Sequence, residues 1–310
     1  MDISSKIYVA GHTGLVGSAV VDELSKRGYT NLVTVASKDL DLRDAAKTAR
    51  FFREVKPEFV FHAAALVGGI EANKTRPAEF LFDNLRMQSN VLDSARNVGV
   101  NKLLFYGSNC MYPRECPQPM MEEHLLTGKF EPTNAAYSAA KLAGLAMCQA
   151  YNAQYETDFI VPIPANLFGP GDNFDPAQAH FFSALIKKFH DAKERGDKSV
   201  VLRGTGTSRR EALYSKDLAD ASIFLMENYT GSDPINVGTS TDYSVRDIAG
   251  ILKGIVGFEG DIEWDSTKSD GMPRKLLDSS KIRAMGWSPK HKLEDAFRET
   301  YDWYRQCKNV

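Results

Sequence analysis

Short apolar runs alternate with stretches of helical periodicity along the first half of the chain. Residues 6–10 (KIYVA) form an apolar run of strand length, and an amphipathic stretch follows at 18–27. Residues 31–36 (NLVTVA), 57–65 (PEFVFHAAA) and 102–107 (KLLFYG) read as further strands. Helical stretches separate them, one after Asp41-Leu42-Arg43-Asp44 and a longer one over 78–98. Strands that alternate with helices build a parallel sheet, so the expectation is an α/β, Rossmann-type doubly wound fold. Tyr137 and Lys141 fall one turn apart near the start of an alanine-rich helix that includes Ala139, Ala143, Ala146 and Ala150.

The second half changes character. Residues 158–167 (DFIVPIPANL) read as a strand that ends in proline-broken coil, and Gly169-Pro170-Gly171-Asp172 reads as a turn. That turn divides an expected Rossmann domain, 1–168, from a smaller α/β domain, 169–310. Within the second, a segment near 211–238 is expected to return to the main sheet through 234–238 (PINVG). A helix holding Lys187 and Lys188, a strand at 200–204, a helix at 244–256, a strand at 262–264 and a helical tail at 293–306 complete the pattern. No internal repeat or low-complexity segment is visible.

At 310 residues the chain is long enough to build its core without staples. A formal net charge of -2 gives no general attraction to nucleic acid or to an anionic membrane. There is no signal-peptide pattern at residues 1–6 and no stretch long enough to span a bilayer, so a cytoplasmic protein with a small-molecule ligand is expected. Cys110, Cys116, Cys148 and Cys307 lack metal-site or CxxC spacing, which points to reduced thiols and no metal. Cys148 reads as packing and Cys307 as incidental.

Candidate chemistry gathers at the ends of the strands. Gly11-His12-Thr13-Gly14-Leu15-Val16-Gly17 lies between a strand and a helix, where glycines let backbone N–H groups approach a pyrophosphate. The second strand runs into Ser37-Lys38 with no acid until Asp39; a hydroxyl and an ammonium there suit a 2′-phosphate, hence NADP(H). His62 reads as a packed histidine, while capping, packing and cofactor-loop bonding stay open for Asn84 and Asn90. Ser108 follows the fourth strand at the sheet edge where ligands bind, and could hold a carbonyl against Tyr137. Lys141 shares a helical face with Tyr137, so its ammonium is expected to favour the ionised phenol. A histidine such as His180 near a helix start is ordinarily a cap or surface residue.

Taken together, Gly11-x-x-Gly14-x-x-Gly17, Asp41-Leu42, Ser108 and Tyr137-x-x-x-Lys141 resemble the extended short-chain dehydrogenase/reductase family, which acts largely on nucleotide sugars. The stretches GHTGLVGS, AALVGGI (64–70), GSNCMYP, LFGPGDNF (167–174) and RKLLD (274–278) resemble its branch that turns GDP-4-keto-6-deoxymannose into GDP-fucose by two epimerisations and a reduction. The likeness covers nearly the whole chain. It implies cofactor contacts from Gly11, Thr13, Gly14, Leu15, Val16 and Gly17, from Ser37, Lys38, Asp41 and Leu42, and from Ala64 and Tyr106. Tyr137, Lys141, Pro164, Asn166, Leu167 and His180 complete that set. For the GDP-linked sugar it implies Ser108, Asn109, Cys110, Asn166, Lys188, Arg203, Arg210 and Asp270.

The catalytic residues it implies are Ser108, Cys110, Tyr137, Lys141 and His180. A 4-keto group acidifies C3 and C5, and inversion needs a proton removed on one face and returned on the other. Cys110 as thiolate would remove it and His180 as imidazolium return it, with the charge of His180 lowering the pKa of Cys110. Ser108 and Tyr137 would hold the enolate oxygen, and Tyr137 would protonate it during reduction. Arg203, Ala212 and Ser269 depart from the tryptophan, phenylalanine and proline of the family pattern, which leaves the sugar open. The alternatives are a C4-reductase or an epimerase–reductase of another GDP-4-keto sugar, heptose or dideoxy. From a different class stands a non-catalytic dinucleotide-sensing regulator. A homodimer through the tyrosine helix and the 80–98 helix is expected.

Overall fold

The structure is a computed structural model that describes residues 1–176, 178–268 and 270–308. The chain opens with β1 (Ile7–Ala10), α1 (Leu15–Lys26), β2 (Leu32–Val33), α2 (Ala45–Val55), β3 (Phe59–His62), α3 (Ile70–Thr75), α4 (Pro77–Asn97) and β4 (Lys102–Phe105). It continues through α5 (Ala135–Tyr155) to β5 (Phe159–Ile160). These strands form one parallel sheet in the order β2-β1-β3-β4-β5. The chain moves outward from β1 to β2 and then to β3 on its other side. That reversal leaves a crevice at the C-terminal ends of β1 and β3, the place where such sheets bind ligands. β1 and β4 are buried along their whole length, which explains the apolar runs of both, and Lys102 at the start of β4 is paired with Asp158 at 3.2 Å.

Two strands differ from expectation for local reasons. β2 stops at Val33, and beyond it the N–H groups of Asp39 and Leu40 both turn back to the carbonyl of Ala36. Residues 158–167 become three strands, β5, β6 (Pro162–Pro164) and β7 (Asn166–Phe168), each with a different partner. Pro162 and Pro164 have no N–H to donate, so β6 pairs with the later strand β10 (Ile235–Val237), while the Pro162 carbonyl accepts from Gly107.

After β7 come α6 (Phe181–Arg195), β8 (Ser199–Arg203), β9 (Arg209–Tyr214) and α7 (Ser215–Asn228). β10 is followed by β11 (Asp242–Ser244), α8 (Val245–Val256), β12 (Asp261–Asp265), β13 (Arg274–Lys275), α9 (Ser280–Ala284) and α10 (Leu293–Lys308). β9 pairs with β7 and β13 in parallel and with β11 antiparallel, and β8 pairs with β12. Ser244 and Asp247 form a capping box that starts α8, with N–H to oxygen distances of 3.0 and 3.1 Å.

The core divides accordingly. One cluster surrounds the parallel sheet and includes Leu218, Ile223 and Val237 from α7 and β10. A second packs Phe168, Phe182, Phe189, Leu202, Phe258 and Phe297 between α6, α8, α10 and the strands beside them. Among the described residues no helix is long and apolar enough to cross a membrane.

Candidate active site

The loop after β1 is built for close approach. Gly11 has φ +80°, and a Cβ on it would lie 2.7 Å from the Ala64 nitrogen in the loop after β3. A Cβ on Gly17 would lie 2.1 Å from the Gly11 carbonyl oxygen. α1 starts at Leu15, earlier than its amphipathic pattern suggests, and its N-cap Gly14 has no side chain to bond the first-turn N–H groups. Backbone donors at a helix N-terminus, flanked by glycines, fit a pyrophosphate.

Neighbouring segments hold this edge in place. Asn84 accepts from the Leu66 N–H at 2.8 Å and donates to its carbonyl at 2.9 Å. Asn90 donates to the Leu42 carbonyl at 2.8 Å. Both asparagines therefore pin loops at the sheet edge, which decides among the readings left open for them. Ser37 and Lys38 are exposed in the turn after β2, and Asp41 is paired with the Arg43 guanidinium at 2.9 Å. Pro164 and Leu167 lie in β6 and β7.

β4 delivers the chemical cluster. Ser108 caps a short 3-10 turn, Asn109–Met111, and its Oγ accepts from the Cys110 N–H at 3.2 Å. The Ser108 hydroxyl lies close to the Tyr137 phenol in the first turn of α5. Lys141 lies one turn on, buried, with Nζ donating to the Tyr106 carbonyl at 2.8 Å and resting 4.7 Å from the Phe105 ring centroid. The Tyr106 side chain points away to Ser222. His62 is buried against Phe105, and burial lowers its pKa to about 3, so it is a neutral packed histidine.

The state of Tyr137 differs from expectation. Burial pushes its pKa well above the usual phenol value, and the neighbouring Cys110 adds to this. The Lys141 ammonium stands 6.0 Å from the ring centroid, and burial lowers its own pKa to about 8. The surroundings therefore keep the phenol protonated, the form an acid needs, rather than ionised as the Tyr–Lys spacing alone suggests.

The partners of Cys110 also differ. Asn134 Nδ2 lies 3.1 Å from its Sγ and Lys275 Nζ 3.8 Å, from the turn before α5 and from β13. His180 is placed at the N-cap of α6, near Asp172, whose carboxyl is pushed up by burial and accepts from Ser183 and from the Asn173 N–H. A cation beside the thiol is thus Lys275. Asn134 and Lys275 were missed in the sequence; Lys275 lies inside the RKLLD stretch, which carried no assignment of its own.

The implied sugar-nucleotide contacts fall into smaller groups. Asn109 Nδ2 donates to Asn166 Oδ1 at 2.5 Å, tying the loop after β4 to β7. Lys188 donates to the Val201 carbonyl, and exposed Arg203 lies beside Asp265 at the ends of β8 and β12. Arg210 donates to the carbonyls of Met272 at 2.8 Å and Asp270 at 3.3 Å, while the Asp270 carboxylate accepts from the N–H of Thr205 at 2.8 Å and its hydroxyl at 2.7 Å. Ala212 is buried in β9, and Ser269 lies outside the described residues.

Glu211 joins these groups to the sheet. Its carboxylate accepts from the N–H of Ser240 at 2.7 Å and of Leu277 at 2.8 Å. Burial raises its pKa from 4.5 to about 7 despite those donors. The folded protein therefore binds a proton that the unfolded chain has released, and the stability this carboxyl contributes is full below pH about 4.5 and lost as pH rises through 7. Glu211→Gln stays neutral, so its stability relative to wild type should improve by on the order of 3 kcal/mol between pH 4.5 and 8. Urea unfolding of both proteins across that range measures it; parallel pH curves would refute the assignment.

A doubly wound sheet, a glycine cradle at its switch point and a serine–tyrosine–lysine group at the edge of the next strand define a dinucleotide-dependent enzyme of the short-chain type. The family model of the NAD dependent epimerase/dehydratase family matches residues 7–238, and the chain belongs to that family. It is 50% identical over 309 residues to GDP-L-fucose synthase 1 of Arabidopsis thaliana, covering 100% of this chain and 95% of the relative. Its structure is similar to a GDP-6-OMe-4-keto-L-xylo-heptose reductase from C. jejuni, with TM-score 0.94, 38% identity and 99% of both chains covered. A GDP-L-fucose synthetase from Naegleria fowleri bound to NADP gives TM-score 0.94 at 31% identity, over 100% of this chain and 95% of that one.

Proposed function

We propose that this protein is an NADP(H)-dependent epimerase–reductase that converts GDP-4-keto-6-deoxy-D-mannose to GDP-L-fucose. The observation that carries the reading is the placement of Cys110 in the same short turn as Ser108, whose hydroxyl lies close to Tyr137. That placement would bring a carbon-acid base and a carbonyl acid to one ring. The 50% identity to a GDP-L-fucose synthase supports the same substrate.

The glycine cradle fits a dinucleotide pyrophosphate, and Ser37 and Lys38 supply the exposed hydroxyl and ammonium that a 2′-phosphate calls for. When bound, NADPH supplies the hydride for C4. Cys110 as thiolate takes the proton from C3 or C5 and becomes a thiol; the electron pair moves onto the C4 oxygen, where Ser108 and Tyr137 donate hydrogen bonds. His180 as imidazolium returns a proton to the opposite face and becomes neutral. Both groups must then exchange with solvent before the second centre is inverted. In the reduction step the Tyr137 phenol gives its proton to the C4 oxygen, and Lys141 holds the neighbouring Tyr106 carbonyl and the nicotinamide ribose.

Residues 1–168 with the return segment near 211–238 would form the cofactor domain and 169–310 the sugar-nucleotide domain. Asn166, Lys188, Arg203, Arg210 and Asp270 would serve the GDP sugar. A cytoplasmic homodimer through α4 and α5 completes the reading, supported by the small residues of α5. A second reading, a C4-reductase of a GDP-linked heptose, is supported by the 38% identity to the heptose reductase.

Incubation with the keto sugar and NADPH in deuterated water separates the two. Epimerisation incorporates deuterium at C3 and C5 of the product, whereas a pure reductase leaves both positions unlabelled. The absence of any turnover with a panel of nucleotide keto sugars would favour a dinucleotide sensor instead.

A further inference from the structure

We propose that Lys275 is a positioning residue for Cys110, its ammonium held beside Sγ to stabilise the thiolate that the reaction uses. The proposal rests on the reading of Cys110 as the base of the epimerisation. It assigns Lys275 as the counter-charge of Cys110.

The placement of Lys275 is over-determined. Its neighbour Arg274 is held by the Asp242 carboxylate at 2.5 Å. On the other side, the Leu276 N–H donates to Gln118 Oε1 at 3.0 Å and the Leu277 N–H to Glu211 Oε2 at 2.8 Å. The Met120 N–H donates to the Leu276 carbonyl at 2.7 Å, and the Asp278 N–H to the Met120 carbonyl at 2.8 Å. With the backbone fixed on both sides, the half-buried stem of Lys275 brings its ammonium to 3.8 Å from Sγ.

Asn134 adds a directed donor. Its Nδ2 points at Sγ from 3.1 Å, while its Oδ1 accepts from Ser138 Oγ at 3.4 Å. Two donors that converge on sulfur favour the thiolate over the thiol, and the S–H form has Asn109 Oδ1, at 3.7 Å, as its acceptor. Lys275 from β13 and Tyr137 from α5 are titratable groups near the sulfur, and the latter stays protonated. A single opposite charge at this range moves a pKa by about one to three units.

Alkylation of Cys110 by iodoacetamide, followed peptide by peptide against pH in the substrate-free protein, tests this directly. Cys116 and Cys307 serve as internal references. Lys275→Met should raise the pH midpoint of Cys110 alkylation by about one unit or more, and slow the reaction roughly tenfold at pH 7. Lys275→Arg should keep the midpoint near wild type, and Lys275→Gln provides a polar alternative should the methionine variant misfold. Equal midpoints in wild type and in a folded Lys275→Met or Lys275→Gln protein would overturn the proposal. The measurement needs neither sugar nor cofactor, so it is distinct from the functional reading, which fails if Cys110→Ser still exchanges deuterium at C3 and C5.

Discussion

Tyr137→Phe is expected to lower C4 reduction by about 10²–10⁴-fold while solvent exchange at C3 and C5 falls only about tenfold. The difference follows from what the phenol does in each half of the reaction. During reduction it is the acid, and its protonated state is enforced by burial and by the neighbouring sulfur. Phenylalanine leaves the C4 oxygen without a proton source. During epimerisation the same oxygen keeps the hydrogen bond of Ser108, so one donor of two is lost. The substitution should leave the fold intact, because Lys141 is anchored on the Tyr106 carbonyl and the Phe105 ring rather than on the phenol oxygen. Single-turnover oxidation of NADPH, beside NMR detection of deuterium in the recovered keto sugar, separates the two rates. Equal losses in both would mean that Tyr137 organises the site rather than acting as the acid, and undiminished reduction would remove it from the chemistry.

What could be read from the sequence was whatever is local in the chain. The glycine spacing, the buried runs of β1 and β4 and the one-turn separation of Tyr137 from Lys141 depend on neighbours within a few residues, so pattern and propensity reveal them. α7 was not legible as a helix. Its Ser215, Asp217, Asp220 and Ser222 are buried together with Leu218, Ala219 and Ile223, so it presents no polar stripe to mark its period. Its buried carboxylates are met from distant segments: Asp220 by the Trp287 indole at 2.7 Å, and Asp217 by the Lys290 N–H at 2.9 Å. The contact of Lys275 with Cys110 was not legible for a related reason. Lys275 is brought to the sulfur by hydrogen bonds that join β13 to Gln118 and Glu211, and no spacing near Cys110 could announce a residue so far along the chain. The ionisation of Tyr137 was misread because the helical period puts Lys141 on the right face but says nothing of burial, which decides the charge.

Gly17→Ala tests the cradle, and its expected effect is of the same rank as that of Tyr137→Phe. Alanine inside a helix ordinarily stabilises by up to about 1 kcal/mol relative to glycine, so propensity alone predicts a benefit. Contact reverses the sign. The new Cβ would lie 2.1 Å from the Gly11 carbonyl oxygen, 2.6 Å from the Gly11 carbonyl carbon and 2.8 Å from the His12 Cα. All three atoms are backbone of the loop itself, and Gly11 is already wedged against Ala64. Relief therefore requires α1 to move away from the loop, which pulls the donors of Leu15 and Val16 out of register with a pyrophosphate. Dinucleotide affinity should fall at least about 100-fold, and stability by roughly 1–3 kcal/mol from overpacking. Gly250→Ala supplies the control: it lies in α8 with nothing within 4 Å of its new Cβ, and should raise stability by about 0.5–1 kcal/mol without touching affinity. NADPH fluorescence titration and urea unfolding of the two variants read both quantities. A Gly17→Ala protein that binds the dinucleotide as wild type does would show that the contact between α1 and the glycine loop plays no part in holding the cofactor.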